Sequence, residues 1–343
     1  MRTYYSESHR LHFPQAELSG GEFVTPYERP SRVEYVLNRL KECGLGDITA
    51  PDSVDMAPVG ALLDPGYLEF LETAWEQWKA EGMAGEIIAA NVPARGMHMD
   101  RIPDNIDGKV GYYCHASETA ITRGTWDAAL SSVAVAQSAT RHVLGGGGPA
   151  FALCRPPGHH ATADQYGGYC FINNAAVAAQ MMRDAGAGRV AILDIDFHHG
   201  NGTQDIFYDR GDVFFASLHG APKDAYPYFI GYADEVGRGA GEGANLNLPM
   251  APGTGYDLWS QALDSALAQI KAWGAESLVL SLGVDAYKDD PISFFKLDSP
   301  DFTDAGRRIG RLGLPTVTCM EGGYAIEAVG VNTVNVLQGM LDM

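Results

Sequence analysis

Four short apolar runs between residues 150 and 320 restrict the possible folds more than any other feature of the sequence. Continuous apolar runs of this length are typical of β-strands that are covered on both faces. Segments with the apolar spacing of a helix lie between them, and this alternation predicts an α/β fold with a doubly wound sheet. The apolar runs are AFALC (150–154), RVAILDI (189–195), SLVLSL (277–282) and PTVTCM (315–320), and the helical segments are 173–188, 255–275 and 301–313.

Residues that favour helix ends support these boundaries. Asp301 is predicted to cap the last of the three helices, because its carboxylate accepts hydrogen bonds from the free N–H groups of a first turn. Gly186 and Gly274 lie where the other two helices are expected to stop. Nearer the N-terminus, the sequence predicts a strand at RTYY (2–5) and helices at 31–43 and 64–80.

No shift in composition marks a second domain, so residues 1–343 are predicted to form a single domain. Residues 81–111 are polar, contain Gly and Pro and lack clear periodicity, which predicts an inserted loop. A loop this long within a compact domain is usually functional.

Charge and cysteine usage exclude several classes of protein. The formal net charge is -19, so a phosphate backbone would be repelled and cationic small molecules attracted. The five cysteines form no C-x-x-C pair, which disfavours a disulfide framework or a thiolate zinc site. The N-terminus has no apolar signal core, and no apolar run approaches the ~20 residues of a membrane helix. We therefore expect a cytoplasmic protein with neither a nucleic acid nor a membrane as partner.

An unusual polar group follows each predicted strand of the sheet. In open α/β sheets the ligand crevice lies outside the carboxyl ends of the strands, so these four groups are expected to converge in space. The groups are RPPGHH with His159 and His160, DFHH with Asp196 and His198, GVD with Asp285, and EGGY with Tyr324.

Two aspartates and one histidine of this set have the character of metal ligands. Asp196 and His198 are two residues apart, so in an extended segment they point to the same side, and Asp285 follows another strand. Two carboxylates and one imidazole suit a catalytic divalent cation with open coordination positions. Zn²⁺ is the commonest such ion, and Fe²⁺ is compatible with the same set. The alternative is that these carboxylates only cap helix N-termini.

The remaining polar residues suggest how such a metal site would act. The tandem imidazoles of His159 and His160 perturb each other's protonation, so one of them is a candidate base near neutral pH. Tyr324 is a candidate donor to a developing oxyanion. Asp194 and Asn201 either orient the neighbouring histidines or only satisfy backbone groups of the turn.

With these residues in view, the sequence resembles the histone deacetylase family, of the arginase–deacetylase superfamily. The motifs RPPGHHA, GGYCFINNAAVAA, ILDIDFHHGNGTQDIFY, SLHG, LSLGVDAYKDDP and MEGGY occur in the family's order over roughly 110–330, with YERPSR at 27–32 as a weaker match. Within the family, GYYCHASETAI, the long 81–111 segment and SLHGAPKDAYPYF look most like the bacterial acetylpolyamine amidohydrolase branch.

The resemblance implies a three-layer arginase–deacetylase fold, with a central, mostly parallel sheet of about eight strands and helices on both faces. It implies a zinc-dependent amidohydrolase in which the tandem histidines are the base and acid and Tyr324 polarises the amide carbonyl. Zn²⁺ would be held by Asp196, His198 and Asp285, and a structural K⁺ or Na⁺ by Asp194, Asp196, His198, Ser217 and Leu218. The backbone of Gly168 would bind the substrate amide, Tyr169 and Tyr226 would form the walls of the tunnel, and Asp194 would orient His159.

One position departs from the pattern of many histone deacetylases. These carry an aspartate where this chain has Asn201. An amide supports a neighbouring imidazolium less well than a carboxylate does, so the acid and base roles of His159 and His160 stay open at this point. Asparagine also occurs here in other branches of the family, so the departure does not argue against activity.

The substrate implied by the resemblance is a small cationic acetylated amine, such as acetylputrescine, acetylcadaverine or acetylspermidine. The alternative is acetyl-lysine in proteins or peptides, since the acidic chain attracts lysine-rich tails as well. Residues 81–111 are expected to narrow the mouth of the site through a homodimer contact. Glu118, with Glu17 as a weaker candidate, is expected to bind the distal ammonium; otherwise Glu118 is a solvated acid at a helix N-terminus.

Overall fold

A parallel sheet forms the centre of the molecule in a computed structural model, which describes residues 1–342. Over these residues the strands are β1 (Arg2–Tyr4), β2 (Glu17–Ser19), β3 (Glu22–Val24), β4 (Ile48–Thr49), β5 (Ala150–Ala152), β6 (Val190–Asp194), β7 (Val213–Gly220), β8 (Asn245–Met250), β9 (Ser277–Leu282) and β10 (Thr316–Met320). In the described chain the sheet has eight strands in the order β4-β1-β5-β10-β9-β6-β7-β8, and all neighbours are parallel. A separate antiparallel hairpin pairs β2 with β3.

Helices cover both faces of this sheet. They are α1 (Ser31–Cys43), α2 (Ala57–Gly60), α3 (Pro65–Ala80), α4 (Ile106–Tyr112), α5 (Thr125–Leu144), α6 (Asn174–Asp184), α7 (Asn201–Phe207), α8 (Tyr256–Trp273), α9 (Ser299–Gly310) and α10 (Ile326–Leu341), with 3₁₀ turns at Glu7–Leu11 and Gly239–Gly241.

The side chains of β6 show why the fold has three layers. Successive residues of a strand point to opposite faces. Val190 and Ile192 pack into a core with α5 and α6, whereas Ala191 and Leu193 pack into a core with α1, α8, α9 and α10. Because both faces need apolar cover, the strand is a continuous apolar run rather than an alternating one.

The predicted strands of the sheet are confirmed. The four apolar runs form β5, β10, β9 and β6, which are consecutive in the sheet, and RTYY contains β1. The flanking strands β7 and β8 were not predicted. β8 reads NLNLPM, in which polar residues alternate with apolar ones and a proline interrupts the run, and β7 ends in the polar stretch SLHG.

The predicted helices are present, with corrections at three boundaries. The cap of α9 is Asp298 rather than Asp301, which lies in the first turn, where its carboxylate accepts the backbone N–H of Asp298 at 2.7 Å. Part of the inserted segment is helical, because Asn105 caps α4 by accepting the N–H of Asp107. Glu118 does not begin a helix, since α5 starts only at Thr125. Gly274 does end α8 in the left-handed conformation, with φ of 82°.

The inserted segment 81–111 leaves several apolar side chains in solvent. Val92, Met97 and Ile102 are each about half exposed or more. A small core shared with α3 anchors the two ends of the segment, where Ile87 pairs with Ile121 and Ile106 is buried. Over residues 1–342, none of the helices combines the length and the apolar character that crossing a bilayer requires.

Candidate functional site

The carboxyl ends of β5, β6, β9 and β10 meet at one cavity of about 370 Å³. The predicted convergence of the four polar groups follows from the parallel sheet, because all its strands end at the same edge. Side chains that line the cavity include Glu17, Glu118, His160, Tyr169, His198, Tyr226 and Tyr324.

The three predicted metal ligands lie together at the base of this cavity. Donor atoms of Asp196, His198 and Asp285 all lie within 4.8 Å of one another. His198 Nδ1 is 3.0 Å from Asp285 Oδ2 and 3.4 Å from Asp196 Oδ1. A backbone N–H group holds the second oxygen of each carboxylate. Gly322 donates to Asp196 Oδ2 and Phe197 donates to Asp285 Oδ1, both at 2.7 Å. Partners that follow two strands, β6 and β10, thus hold the two carboxylates in place.

The chemistry of this donor set fits a divalent cation. Asp196 and Asp285 are completely buried, and one imidazole cannot balance two buried carboxylates. Burial and the neighbouring carboxylate of Asp196 raise the pKa of Asp285 above its usual range, so the two aspartates are both ionised only when a further positive charge joins them. The structure therefore does not favour helix capping as the role of these aspartates.

A second group of possible donors among the described residues fits a metal less well. It consists of His159, Cys170 and Glu321. Glu321 Oε2 already accepts the N–H groups of Gly158 and His159, at 2.7 and 3.1 Å, and its Oε1 accepts the hydroxyl of Ser281. This buried glutamate instead fixes the backbone that leads into the histidine pair.

The two histidines have different partners. His159 Nδ1 lies 2.9 Å from Asp194 Oδ2, and His160 Nδ1 lies 2.6 Å from Asn201 Oδ1. Asp194 and Asn201 thus contact imidazoles directly rather than serving only the turn. The two rings are 4.0 Å apart between centroids, but only His160 of the pair lines the cavity.

The partners also separate the two imidazoles electrostatically. Burial disfavours the charged form of His159, but the carboxylates of Asp196 and Asp194 outweigh it and raise its pKa to about 10. Burial and the positive neighbours His159 and His198 lower the pKa of His160 well below its usual value. The histidine that reaches the cavity is therefore the neutral one.

A tight turn places Gly168 and Tyr169 at the wall of the cavity. Gly167 and Cys170 exchange two backbone hydrogen bonds, and φ is positive at both residues between them, 55° and 66°. Positive φ at both central positions defines a type I′ turn, which glycine adopts freely and tyrosine does not. The N–H of Gly168 donates to Glu118 Oε1 at 3.1 Å. The Gly168 carbonyl accepts the thiol of Cys170 at 3.3 Å, and a carbonyl oxygen has a second lone pair that a substrate amide can use.

The two predicted acidic residues lie at the cavity and not on a solvated helix end. Glu17 Oε1 accepts the hydroxyl of Tyr169 at 3.0 Å, and its Oε2 accepts the N–H of Tyr27. Burial raises the pKa of Glu17 to about 6 and also raises that of Glu118. Two partly desolvated carboxylates beside one opening make it attractive to a cation.

Tyr324 faces the metal ligands and is held by residues that the sequence did not single out. The guanidinium carbon of Arg32 lies 4.7 Å from the centre of the Tyr324 ring, and Arg32 donates to the carbonyls of Glu321 and Gly323 at 2.6 and 2.7 Å. Asp290 accepts the N–H of Tyr324 at 2.7 Å. Burial raises the pKa of Tyr324 well above that of a free phenol, so the hydroxyl keeps its proton and can donate it in a hydrogen bond.

A buried ion cluster connects Arg32 with the loop that carries the histidines. Glu28 Oε1 accepts from Arg32 at 3.0 Å and from Arg155 at 2.8 Å. Arg155 starts the RPPGHH motif and also donates to the carbonyl of His12. The motif YERPSR is only a weaker match to the family. Its spacing does not indicate that Glu28 contacts Arg155 or that Arg32 contacts the loop after β10.

Three of the five residues implied for a monovalent cation lie on neighbouring strands. Asp194 of β6 pairs in register with Ser217 of β7, and Leu218 follows it. Both Asp194 and Ser217 are fully buried, and Asp194 Oδ1 accepts the N–H of Asp196. The K⁺ or Na⁺ itself stays a prediction.

This fold and this site together define a class of protein. Residues 26–340 match the family model described as the histone deacetylase domain, so the chain belongs to the histone deacetylase family. The fold resembles that of a crystal structure of acetylpolyamine aminohydrolase from Burkholderia pseudomallei, with a TM-score of 0.94, 39% identity and coverage of 100% of this chain and 99% of that one.

Two relatives match over nearly their whole length. The chain is 55% identical over 340 residues to the acetylpolyamine amidohydrolase of Mycoplana ramosa, covering 99% of both proteins. It is 56% identical over 340 residues to acetylpolyamine amidohydrolase 1 of Pseudomonas aeruginosa, covering 99% of this chain and 98% of the relative. The resemblance drawn from the motifs is thereby confirmed.

Proposed function

We propose that this protein is a zinc-dependent amidohydrolase that removes the acetyl group from acetylated polyamines and diamines, releasing acetate and the free amine. The observation that carries the proposal is one cavity with a buried Asp–His–Asp donor set at its base and the carboxylates of Glu17 and Glu118 beside its opening. The names of the two relatives support the same substrate class.

Asp196, His198 and Asp285 would hold the metal in this proposal. When bound there, Zn²⁺ supplies Lewis-acid polarisation of the acetyl carbonyl and lowers the pKa of water. The protein's own contribution is to aim the three donors, through the N–H groups of Gly322 and Phe197, and to exclude bulk solvent from them.

His160 would be the proton-transfer residue. Asn201 Oδ1 can only accept, so it fixes the proton on His160 Nδ1 and leaves Nε2 free to take a proton from the attacking water. His160 would then return that proton to the leaving amine. His159, held by the Asp194 carboxylate outside the cavity, would act by its charge.

The remaining groups would orient the amide. The Gly168 carbonyl would accept the amide N–H, while Tyr169 and Tyr226 would flank the alkyl chain. The protonated phenol of Tyr324 would donate to the oxyanion that develops as water attacks the carbonyl. Glu17 and Glu118 would attract the distal ammonium.

We place the enzyme in the cytoplasm, where its five free cysteines would stay reduced.

The direct test is a comparison of deacetylation rates on zinc-loaded protein. We expect acetylputrescine and acetylcadaverine to be hydrolysed far faster than an acetyl-lysine peptide. A faster rate on the peptide would replace the polyamine assignment with the protein-deacetylase alternative.

Tyr324→Phe serves as the internal check on mechanism. Loss of one oxyanion donor costs roughly 10²–10³ in kcat, so we expect that decrease with the zinc content unchanged. Near-full activity of the zinc-loaded variant would remove Tyr324 from the proposed mechanism.

A further inference from the structure

His115 joins the wall of the cavity to the histidine pair. Its Nε2 lies 3.1 Å from the backbone carbonyl of His160, and its Nδ1 lies 3.3 Å from the hydroxyl of Tyr226. The Tyr226 ring in turn packs edge-on against the His160 ring, with centroids 4.9 Å apart. One imidazole thus contacts both a wall residue and the proposed proton-transfer residue.

The partners of His115 determine where its proton lies. A carbonyl oxygen can only accept, so Nε2 carries the hydrogen, and in a neutral ring Nδ1 then has a free lone pair. The ring is neutral near pH 7, since burial lowers the pKa of His115 to about 4. Tyr226 must therefore donate its hydroxyl proton to Nδ1.

The surroundings hold the His115 ring in this orientation. A Cβ atom added to Gly167 would lie 2.4 Å from Cε1 of the ring and 2.6 Å from Nε2. The glycine backbone thus packs directly on the imidazole, and a tilt of the ring toward it would cause a steric clash. The packing thus fixes the orientation of the ring, and the His160 carbonyl fixes the proton on Nε2.

We propose that His115 is a positioning residue that holds the Tyr226 hydroxyl proton away from the cavity, so that the phenol oxygen acts there as a hydrogen-bond acceptor for an N–H group of a cationic substrate. A free phenol would offer either its proton or its lone pairs. With the proton committed to His115, only lone pairs remain, and they select for donors. This inference rests on the proposed function and adds a specificity determinant to it.

The neighbouring charge favours the same kind of ligand. Burial is the main reason why the pKa of the Tyr226 phenol is raised, and Glu118 is the charged group that raises it most. The segment that carries Glu118 also carries His115. Glu118 and Tyr226 both line the cavity. The two acceptors Glu118 and Tyr226 together suit an alkylammonium ion or its polarised N–H groups.

Two substitutions of His115 separate its two contacts. Gln places an amide N–H near the position of Nε2 and can keep the bond to the His160 carbonyl, whereas Asn places its amide near Nδ1 and can keep the bond to Tyr226. We expect H115Q and Y226F each to raise KM for acetylputrescine about tenfold, the value of one hydrogen bond to a charged group. H115N should leave KM near that of the wild type and act mainly on kcat.

A neutral substrate of the same length provides the control. N-butylacetamide has the acetamide and the four-carbon chain of acetylputrescine but no ammonium, so its KM should change little in H115Q and Y226F. The Y226F/H115Q double variant should show no further rise in KM over either single variant. Equal effects on both substrates, or an unchanged KM for acetylputrescine, would overturn the inference.

Ring-nitrogen NMR of ¹⁵N-histidine protein tests the inference without turnover. We expect one buried histidine, assigned to His115 by its loss in H115N, with a protonated Nε2 and an unprotonated Nδ1 at neutral pH. In Y226F the Nδ1 resonance should shift as its hydrogen bond is lost. A protonated Nδ1 would refute the proposal. Failure of the wild type to hydrolyse acetylputrescine would count against the proposed function instead.

Discussion

At the residue scale, the two imidazoles of the pair are distinguished by a single atom in their partners. Asp194 offers His159 a carboxylate, and Asn201 offers His160 an amide oxygen. A carboxylate stabilises an imidazolium and an amide does so only weakly. The amide of Asn201 therefore influences the pH dependence of the site, because His160 is the member that reaches the cavity.

Asn201→Asp should move the acidic limb of the kcat/KM profile to higher pH. A carboxylate in place of the amide favours the charged form of His160 and raises its pKa, so the unprotonated base is lost at a higher pH on acidification. The measurement is kcat/KM for acetylputrescine against pH, with zinc content checked at each pH. Asp194→Asn is the matched change on the other histidine. An acidic limb that stays in place in N201D would contradict the assignment of His160 as the base.

At the scale of elements, the turn 167–170 matters more to the site than its length suggests. It carries the carbonyl that we propose to bind the substrate amide and a tyrosine of the cavity wall, and its N–H groups donate to Glu118 and to the hydroxyl of Thr119. Its geometry depends on glycine, because a Cβ on Gly168 would lie 2.3 Å from Cδ2 of His160.

Gly168→Ala should therefore reduce activity more than it reduces stability. The positive φ of 55° costs an alanine about 1–2 kcal/mol, and the clash displaces the His160 ring in addition. Gly44→Ala is a matched control, since Gly44 caps α1 at φ of 59° with nothing within 4 Å of the added Cβ. Both variants should lose stability in urea, G168A at least as much as G44A, but only G168A should lose most of its kcat. Equal activity in the two variants would show that the turn does not position the site.

At the scale of the whole molecule, the formal charge of -19 acts on every cationic substrate that approaches. The resulting field does not distinguish polyamines from lysine-rich tails, but it does distinguish charged from neutral amides. The carboxylates of Glu17 and Glu118, which line the cavity, are the features that would discriminate further.

Salt should lower kcat/KM for acetylputrescine and leave that for N-butylacetamide nearly constant. Raising the ionic strength from roughly 0.01 M to roughly 1 M shortens the Debye length from roughly 30 Å to roughly 3 Å, which screens long-range attraction. Initial rates at low substrate concentration measure this directly. Parallel salt curves for the two amides would argue against a role for the protein's field.

Residues 81–111 are expected to join two copies of the chain. They expose Val92, Met97 and Ile102, and apolar side chains exposed together are typical of interfaces. Sedimentation analysis should give a dimer, and Met97→Glu should shift it toward the monomer and raise KM. Leu258→Glu, on the outside of α8, changes a side chain of similar exposure and should leave the dimer intact. A monomeric wild-type protein would refute this expectation.

Much of the fold was predictable because its determinants are local. A strand covered on both faces must be apolar at every position, so β5, β6, β9 and β10 stand out along the chain. Strands β7 and β8 could not be recognised in the same way, because polar residues end β7 and alternate with apolar ones in β8. The cap of α9 was misplaced by one turn because Asp298 and Asp301 both suit a first turn.

The convergence of the candidate metal ligands and the histidine pair could be predicted for a related reason. Each comes directly after a recognisable strand, and parallel strands place the loops at their carboxyl ends along one edge of the sheet. The amino-acid sequence was therefore sufficient to specify the central strands of the sheet and the donor types that follow them.

Only the tertiary structure decided which distant residues hold those donors in place. Arg32, Glu28, Glu321 and His115 belong to irregular segments or helix starts, and their partners lie far away in the chain. A hydrogen bond between such residues leaves no periodicity and no spacing in the sequence, because it depends on where two loops pass each other in space. Local patterning thus specifies the framework and the reactive groups, and long-range packing determines their orientation.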